Sequence, residues 1–378
     1  MQAAEPIRHQ DLAPLANLHS LQDLAVNSFH QNFYQPFLSA ELAAGLTSLT
    51  RLALDGCPVA CLTHLSTCVS LKVLSIGCAD GFEEELGRSE WSAVGELTKL
   101  LELELFNAKF FTPTQECCAA VNKLTKLHSF GAFLWSTEML PLVAACTLLT
   151  KLVGGWQQQE DSSSGGRITL PWVMELAKTH GSPPFVALPN LSTVEQSACM
   201  TMDAFICMSR HCTQLRQLKA GYGGTSLPSS EPILARIAAI KALSSLTGLI
   251  YLEFMVKDNA ELLSVVDVVV SLLPHGFRHL EVVVYRDRPM RLSALMHLAR
   301  LQGLPELLFH VDVATADLMV ADASLADTAI VLSGLSGIRY VQIVGLKSEH
   351  IDALDEAYGA LEEGGLPFPT TLALSKGP

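Results

Sequence analysis

The chain of 378 residues is long enough for two or three globular domains or for one array of repeats. Hydrophobic residues make up 49% and charged residues only 17%, a composition that excludes a disordered tail. With 38 acidic and 25 basic residues the net charge is −13, which argues against nucleic acid or an anionic lipid surface as the main partner and favours a protein with a basic surface.

The first segments of the chain carry no targeting signal that we recognise. Residues 1–15 include Glu5, Arg8 and Asp11 and lack the apolar core of a secretory signal. The longest apolar run, 262–273, is about half the roughly 20 residues that cross a bilayer. The ten cysteines have no regular spacing, so they predict free thiols rather than disulfides. We therefore expect an intracellular, cytoplasmic protein with no membrane span.

One phrase, L-x-x-L-x-x-L-x-L, recurs along the chain and is clearest at 46–54. Thirteen copies follow each other at an average spacing of about 29 residues. The final L-x-L of each copy predicts a short strand with two core-facing side chains, and such strands bury their apolar side by stacking in parallel. The copies begin at Leu18, Leu46, Cys68, Leu97, Leu124, Cys146, Leu188, Cys212, Leu246, Pro274, Leu301, Leu335 and Leu366.

The segments that return from one strand to the next have helical patterns. Apolar residues recur at three-to-four spacing among good helix formers. Helices are therefore predicted on the outer side of the strands. They cover 114–124, 200–211, 232–243, 260–273, 290–301 and 349–361.

These copies resemble the leucine-rich repeat superfamily, specifically its longer, helix-bearing kind, the ribonuclease-inhibitor-like and cysteine-containing repeats. The resemblance implies an α/β solenoid, a horseshoe with a parallel inner sheet, outer helices and about 13 repeats. The ninth repeat position, usually Asn or Cys in the family, is cysteine at Cys57 and Cys199 but not in most copies, so irregular turns are expected. Divergent long-repeat proteins in flagellated single-celled eukaryotes are often assigned to the cytoplasm, cytoskeleton or ciliary axoneme, and the resemblance implies the same locations here.

The spacing of the copies predicts the domain organisation. Residues 1–17 are a short N-terminal cap, 18–156 hold repeats 1–6 and 188–378 hold repeats 7–13. Between them, 157–187 is an insertion whose polar stretch 157–166 predicts a mobile loop. Only four residues follow the last L-x-L, so we expect that a polar C-terminal cap is missing or that the last strand frays.

The sharpest chemical signal is a set of four residues with zinc-ligand spacing, Cys57, Cys61, His64 and Cys68. Cys57 and Cys68 also occupy repeat positions at which a buried thiol packs as a small hydrophobe. We prefer the packing interpretation, and metal binding stays open.

Other motifs give no support for catalysis. The glycine-rich stretch 221–226 follows a strand, but it lacks the Gly-Lys-Ser/Thr ending of a phosphate loop, so a turn without a ligand is favoured. No metalloprotease, hydrolase or kinase motif occurs. We expect no enzymatic activity, no cofactor and no small-molecule ligand.

The residues before, between and after the leucines of each L-x-L should point to the open, concave face of the sheet. Eight of these are acidic and three are basic, which predicts an acidic face with aromatic anchors. The acidic residues are Asp23, Asp55, Glu102, Glu104, Glu195, Glu253, Glu281 and Glu306, and the basic ones are Arg51, Lys151 and Lys219. The candidate protein-binding residues are Asp55, Glu102, Glu104, Phe106, Phe133, Tyr251, Glu253, Glu281, Glu306 and Tyr340.

The favoured function is a non-catalytic scaffold that binds a protein on the concave face. The resemblance to cysteine-containing repeats implies an alternative, the substrate-recognition subunit of a ubiquitin ligase. Residues 1–17 are too few for an F-box, so that alternative needs a separate adaptor or a truncated chain. A third class is a GTPase-regulating horseshoe, for which Arg286 and Arg288 are the candidate residues.

Overall fold

The computed structural model describes most of the repeat array. The residues described are 13–27, 39–55, 59–77, 86–106, 115–132, 146–154, 188, 190–196, 202–220, 233–256, 258–284, 292–311, 330, 332–346, 348–365, 367, 369 and 371–376. All structural statements below refer to these residues.

The chain forms two compact units, Met1–Ala198 and Cys199–Pro378. In the first unit, seven strands pair in parallel in chain order, each with the next. They are β1 (Asp23–Asn27), β2 (Arg51–Asp55), β3 (Val73–Gly77), β4 (Glu102–Phe106), β5 (Ser129–Ala132), β6 (Lys151–Gly154) and β7 (Thr193–Gln196).

Six strands of the second unit pair in the same way. They are β8 (Gln217–Ala220), β9 (Tyr251–Val256), β10 (His279–Val284), β11 (Glu306–Val311), β12 (Tyr340–Leu346) and β13 (Thr371–Lys376). Each of the thirteen sequence copies thus contributes one parallel strand, which confirms the predicted repeat count.

Helices return the chain from one strand to the next. The α-helices of the described residues are α1 (Ala40–Gly45), α2 (Arg88–Gly95), α3 (Gln115–Lys123), α4 (Met202–His211), α5 (Ile233–Ala242), α6 (Asn259–Leu272) and α7 (Ser348–Glu363). Shorter 3₁₀-helices cover Ala13–Asn17, Val59–Thr67, Leu243–Ser245, Leu273–His275, Leu292–Arg300 and Leu335–Gly337.

The helical pattern at 290–301 forms a 3₁₀-helix, Leu292–Arg300, instead of the expected α-helix. A 3₁₀-helix rises about 2.0 Å per residue against 1.5 Å in an α-helix. Nine residues in this form therefore span about 18 Å, close to the roughly 21 Å of the fourteen-residue α6 in the preceding repeat. A shorter return segment covers nearly the same length by tightening its helix.

The L-x-x-L part of each copy is a turn that leads into the strand. The N–H of Leu49 donates to the carbonyl of Leu46, and that of Leu249 donates in the same way to Leu246. The carbonyl just ahead of most of the described strands then accepts two N–H groups from the next repeat, as Ile250 O does from Arg278 and His279 at 3.0 and 3.1 Å. The turn and the hydrogen bonds between repeats together pair backbone N–H and C=O groups at the start of the strands.

The motif leucines form the core between the strands and the helices. Leu52, Leu103, Leu252 and Leu307 are each 0% exposed. Their equivalents in neighbouring strands are paired residue by residue, so they form a continuous apolar ladder. This arrangement of parallel strands backed by helices is the α/β leucine-rich repeat fold. No helix of the described residues has the length and apolar character to span a membrane.

Candidate binding face of the sheets

Side chains alternate between the core and the opposite face of each sheet. In β9, Leu252, Phe254 and Val256 are buried, whereas Tyr251, Glu253 and Met255 are partly exposed. A strand turns successive side chains to opposite faces, so the partly exposed residues of all strands share one face. We call this the open face of each unit.

In the first unit, the open face is shaped by small residues. The middle row of this face runs Ala25, Ala53, Ser75, Glu104 and Gly131 from β1 to β5. A Cβ at Gly131 would lie 3.1 Å from Cγ of Glu104, so a larger residue there would push the Glu104 side chain aside by a few tenths of an ångström. Small residues therefore flank the half-buried Glu104 on both neighbouring strands.

Glu104 lies in a mixed electrostatic environment. Burial raises the pKa of its carboxyl above the ordinary value, and Lys151 opposes that shift. Lys151 is itself engaged with Glu195, with Nζ and Oε2 3.0 Å apart. Glu102, directly before the motif leucine of β4, adds a second negative charge nearby and is exposed. Lys151 thus interacts with both Glu104 and Glu195, and burial removes part of the water that would solvate the Glu104 charge.

We expect Glu104→Gln to raise the free energy of unfolding at pH 7.5. A carboxyl whose folded-state pKa lies above its unfolded one favours folding at low pH, and that contribution is lost as pH rises through the folded pKa. Ionised Glu104 therefore costs stability at neutral pH, while the amide removes the charge and keeps an acceptor for the Ser75 hydroxyl. Urea unfolding at pH 7.5 and pH 4 measures the difference, which should shrink at pH 4. Glu102→Gln is the exposed control and should change little; a less stable Glu104→Gln protein at pH 7.5 contradicts the prediction.

In the second unit, side chains of the open face form a hydrogen-bonded network around one phenol. The hydroxyl of Tyr251 donates to Oε2 of Glu281 at 2.7 Å and approaches Oε2 of Glu253 at 3.3 Å. The other oxygen of Glu281, Oε1, lies 2.8 Å from Nε2 of His310. Lys219 Nζ lies 3.8 Å from Glu253 Oε2 and 5.5 Å from the centre of the Tyr251 ring. Four strands therefore contribute to a single cluster.

A histidine packs against the same tyrosine. The rings of Tyr251 and His279 stack with centres 4.6 Å apart. Nδ1 of His279 lies 2.9 Å from Oε2 of Glu306 on the next strand, while its Nε2 is buried and has no hydrogen-bond partner among the described residues. The stacking fixes the Tyr251 ring over the sheet, which keeps its hydroxyl aimed at the carboxylates.

The electrostatics of this network hold its groups in defined protonation states. Burial raises the pKa of the Tyr251 phenol far above its ordinary value, and the neighbouring Glu281 raises it further. The hydroxyl is therefore a permanent donor at neutral pH. Burial also raises the pKa of Glu253, with Glu281 the next largest cause, while Lys219 opposes the shift. Glu253 and Glu281 face each other in the strand register, where like charges disfavour folding.

Most of the candidate residues from the sequence occupy the open faces. Glu102 and Glu104 lie there in the first unit, and the second unit presents Tyr251, Glu253, Glu281, Glu306 and Tyr340. Asp55 and Phe106 occupy open-face positions of β2 and β4, but their side chains are outside the described residues, as is Phe133 altogether. The predicted acidic character is moderated, because lysine, histidine and tyrosine are interleaved with the carboxylates.

The sequence candidates were acidic and aromatic residues, so histidines and apolar residues of the open faces were not among them. His279 and His310 hold Glu306 and Glu281, although neither was a candidate. Their place in the repeat could have revealed them, because they stand at the first and third open-face positions of their strands. Four apolar open-face residues of the second unit were also absent from the candidates. These are Met255, Val283, Leu308 and Val344.

Of the four candidate metal ligands, the structure describes the side chains of His64 and Cys68. Cys68 is fully buried, and its thiol donates to the carbonyl of Ala43 with Sγ and O 3.7 Å apart. Burial raises the pKa of this thiol, which disfavours the thiolate that a metal needs. Cys57 and the side chain of Cys61 lie outside the described residues. No cluster of three metal-ligating residues occurs among those described. The stretches 157–187 and 221–226, with Arg286 and Arg288, also lie outside them.

No protein-family model and no curated protein matches the chain. The chain has a divergent leucine-rich repeat fold. Among solved structures, the Rad7 and Elc1 complex of yeast shares 13% identity over 90% of this chain and 84% of that one, with a TM-score of 0.46. The leucine-rich repeat-containing protein LegL7 of Legionella pneumophila shares 13% over 90% and 98%, with a TM-score of 0.41. Internalin C2 of Listeria monocytogenes shares 16% over 65% and 83%, with a TM-score of 0.36.

Proposed function

We propose that the protein is a non-catalytic interaction scaffold that binds a protein partner through the open faces of its sheets. The network around Tyr251 carries this proposal. Its side chains are already held in place by hydrogen bonds and ring stacking, so binding would order few further groups. A face whose side chains are already ordered, and over which no helix of the described residues lies, is suited to a large, extended contact.

The chemistry of the open faces favours a protein with a basic surface. Tyrosine is enriched at protein interfaces, where its ring supplies apolar area and its hydroxyl a hydrogen bond. Tyr251 and Tyr340 both lie on the open face of the second unit, beside Glu281 and Glu306. Carboxylates repel phosphate groups, which disfavours nucleic acid and anionic lipid as partners.

The proposal includes a cytoplasmic location. Cys68 and Cys146 are buried, free cysteines. Unpaired thiols are typical of proteins kept in a reducing compartment. Immunofluorescence of the tagged full chain checks this part of the proposal.

Affinity capture with a matched pair of charge reversals tests the binding function. The face variant carries Glu102→Lys and Glu306→Lys, both at exposed positions ahead of the motif leucine. The helix variant carries Glu356→Lys and Glu362→Lys, exposed on α7, and changes the net charge by the same amount. We expect proteins that the wild type and the helix variant retain and that the face variant loses, as identified by mass spectrometry.

Circular dichroism of both variants verifies that they fold. If the face variant retains the same proteins as the wild type, the open faces are not the binding surface. If the helix variant alone loses them, the partner binds the helical side.

A further inference from the structure

The open face of the second unit contains apolar side chains where a half-exposed sheet normally presents polar ones to water. Met255, Val283 and Val344 occupy the third open-face position of β9, β10 and β12, and all three are partly exposed. Neighbouring strands lie about 4.8 Å apart, so this apolar row extends over about 14 Å. Apolar side chains that cluster on an uncovered surface, rather than lying singly, mark an interaction site.

A fourth apolar side chain widens the row. Leu308 lies on β11, one open-face position earlier, and is also partly exposed. His310 fills the place of the row on that strand, and its Nε2 is engaged by Glu281. The histidine is therefore directed to a carboxylate, which leaves the apolar side chains on either side of it available for contact.

The carboxylate pair Glu253 and Glu281 borders this apolar row. Each lies two residues before a member of the row on its own strand, a distance of about 6.6 Å. The two are directly opposite in the register, and Lys219, at 3.8 Å from Glu253, is a loose counter-charge. An added cation would relieve the repulsion of the pair, and a guanidinium can do so with two hydrogen bonds at once.

These observations specify the chemistry of the occupant. Resting on the proposed function, we propose that the second unit's open face binds a polypeptide segment of the partner in which apolar side chains flank a lysine or arginine. The apolar side chains lie on Met255, Val283, Leu308 and Val344, and the basic side chain reaches Glu253. Charge complementarity selects this occupant over an acidic or uncharged apolar segment.

Panning a phage-displayed library of random twelve-residue peptides against the immobilised full chain tests the proposal. We expect the enriched peptides to combine lysine or arginine with apolar residues. A fluorescent synthetic copy of the most enriched peptide is then titrated by anisotropy against variants. Val283→Ser with Val344→Ser should weaken its binding about tenfold, because both apolar contacts are lost. Glu253→Gln should weaken it about fivefold by removing the charge, while its amide keeps the shape of the side chain.

The control is Leu234→Ser, which removes an apolar side chain that is 74% exposed on α5 of the same unit. It should leave the affinity unchanged. Enrichment of acidic or uncharged peptides, no enrichment at all, or equal affinity for the valine variant and the control would each overturn the proposal. Sedimentation velocity measures whether the wild type forms a dimer. A dimer that the valine variant abolishes would also contradict the proposal, because a second copy of the chain would then cover this face. The peptide experiment can fail while the face variant with Glu102→Lys and Glu306→Lys still loses a captured partner. In that case the scaffold function is retained and only this occupant is rejected.

Discussion

Phe254→Ala lowers the free energy of unfolding by about 3–5 kcal/mol. Phe254 is 1% exposed in β9 and stands in register with Ala220 on β8 and Val282 on β10. Truncation removes most of a large apolar side chain from a closely packed core and leaves a cavity that the paired strands on both sides cannot close. Because each repeat is stabilised by its neighbours, the loss is felt by both interfaces of β9.

Urea unfolding followed by circular dichroism measures this effect as a shift of the midpoint. Met255→Ala is the matched control, since Met255 is the next residue of the same strand but lies on the open face. It should change the free energy by less than about 1 kcal/mol. Equal losses for the two variants would mean that the alternation of core and open face in β9 is wrong.

The alternation itself could be predicted from the sequence, because L-x-L has the period of a strand and the spacing of copies is regular. The turn ahead of each strand was equally accessible, since L-x-x-L places the N–H of Leu249 three residues after the carbonyl of Leu246, within reach of a hydrogen bond. The helix type of the return segment Leu292–Arg300 could not be predicted, because apolar spacing alone does not distinguish an α-helix from a 3₁₀-helix. The number of residues available to cover the return from one strand to the next decides between them.

The candidate site was predictable as a set of positions and not as a set of contacts. The sequence indicates that Tyr251 and Glu281 both face outwards, but their hydrogen bond joins residues 30 positions apart and depends on the register of β9 and β10. A shift of the pairing by one residue would turn Glu281 to the core. The ion pair of His310 with Glu281 requires the register of a third strand as well. Charge counting therefore predicted an acidic face, whereas cross-strand pairing satisfies much of that charge.

Gly45→Ala lowers the free energy of unfolding by about 1–3 kcal/mol through overpacking. Gly45 ends α1, where it lies against the backbone of Ala16 in the 3₁₀-helix Ala13–Asn17. A Cβ at this position would come within 2.7 Å of the Ala16 Cα and 2.8 Å of its carbonyl carbon. Backbone atoms cannot rotate away as a side chain would, so the two helices must separate. Separation would weaken the packing between α1 and the 3₁₀-helix Ala13–Asn17.

The same substitution in α7 gives the opposite sign. Beyond the backbone of α7 itself, no heavy atom of the described residues lies within 4 Å of a Cβ built on Gly359, so Gly359→Ala meets no obstacle. Alanine restricts the unfolded chain more than glycine does and favours the helix, which should raise the free energy of unfolding by about 0.5–1 kcal/mol. Thermal and urea unfolding of both variants measure the pair together. If Gly45→Ala raises the free energy of unfolding, α1 does not lie against Ala16. If the two variants change the free energy of unfolding in opposite directions, close backbone contact and not helix propensity determines the effect at Gly45.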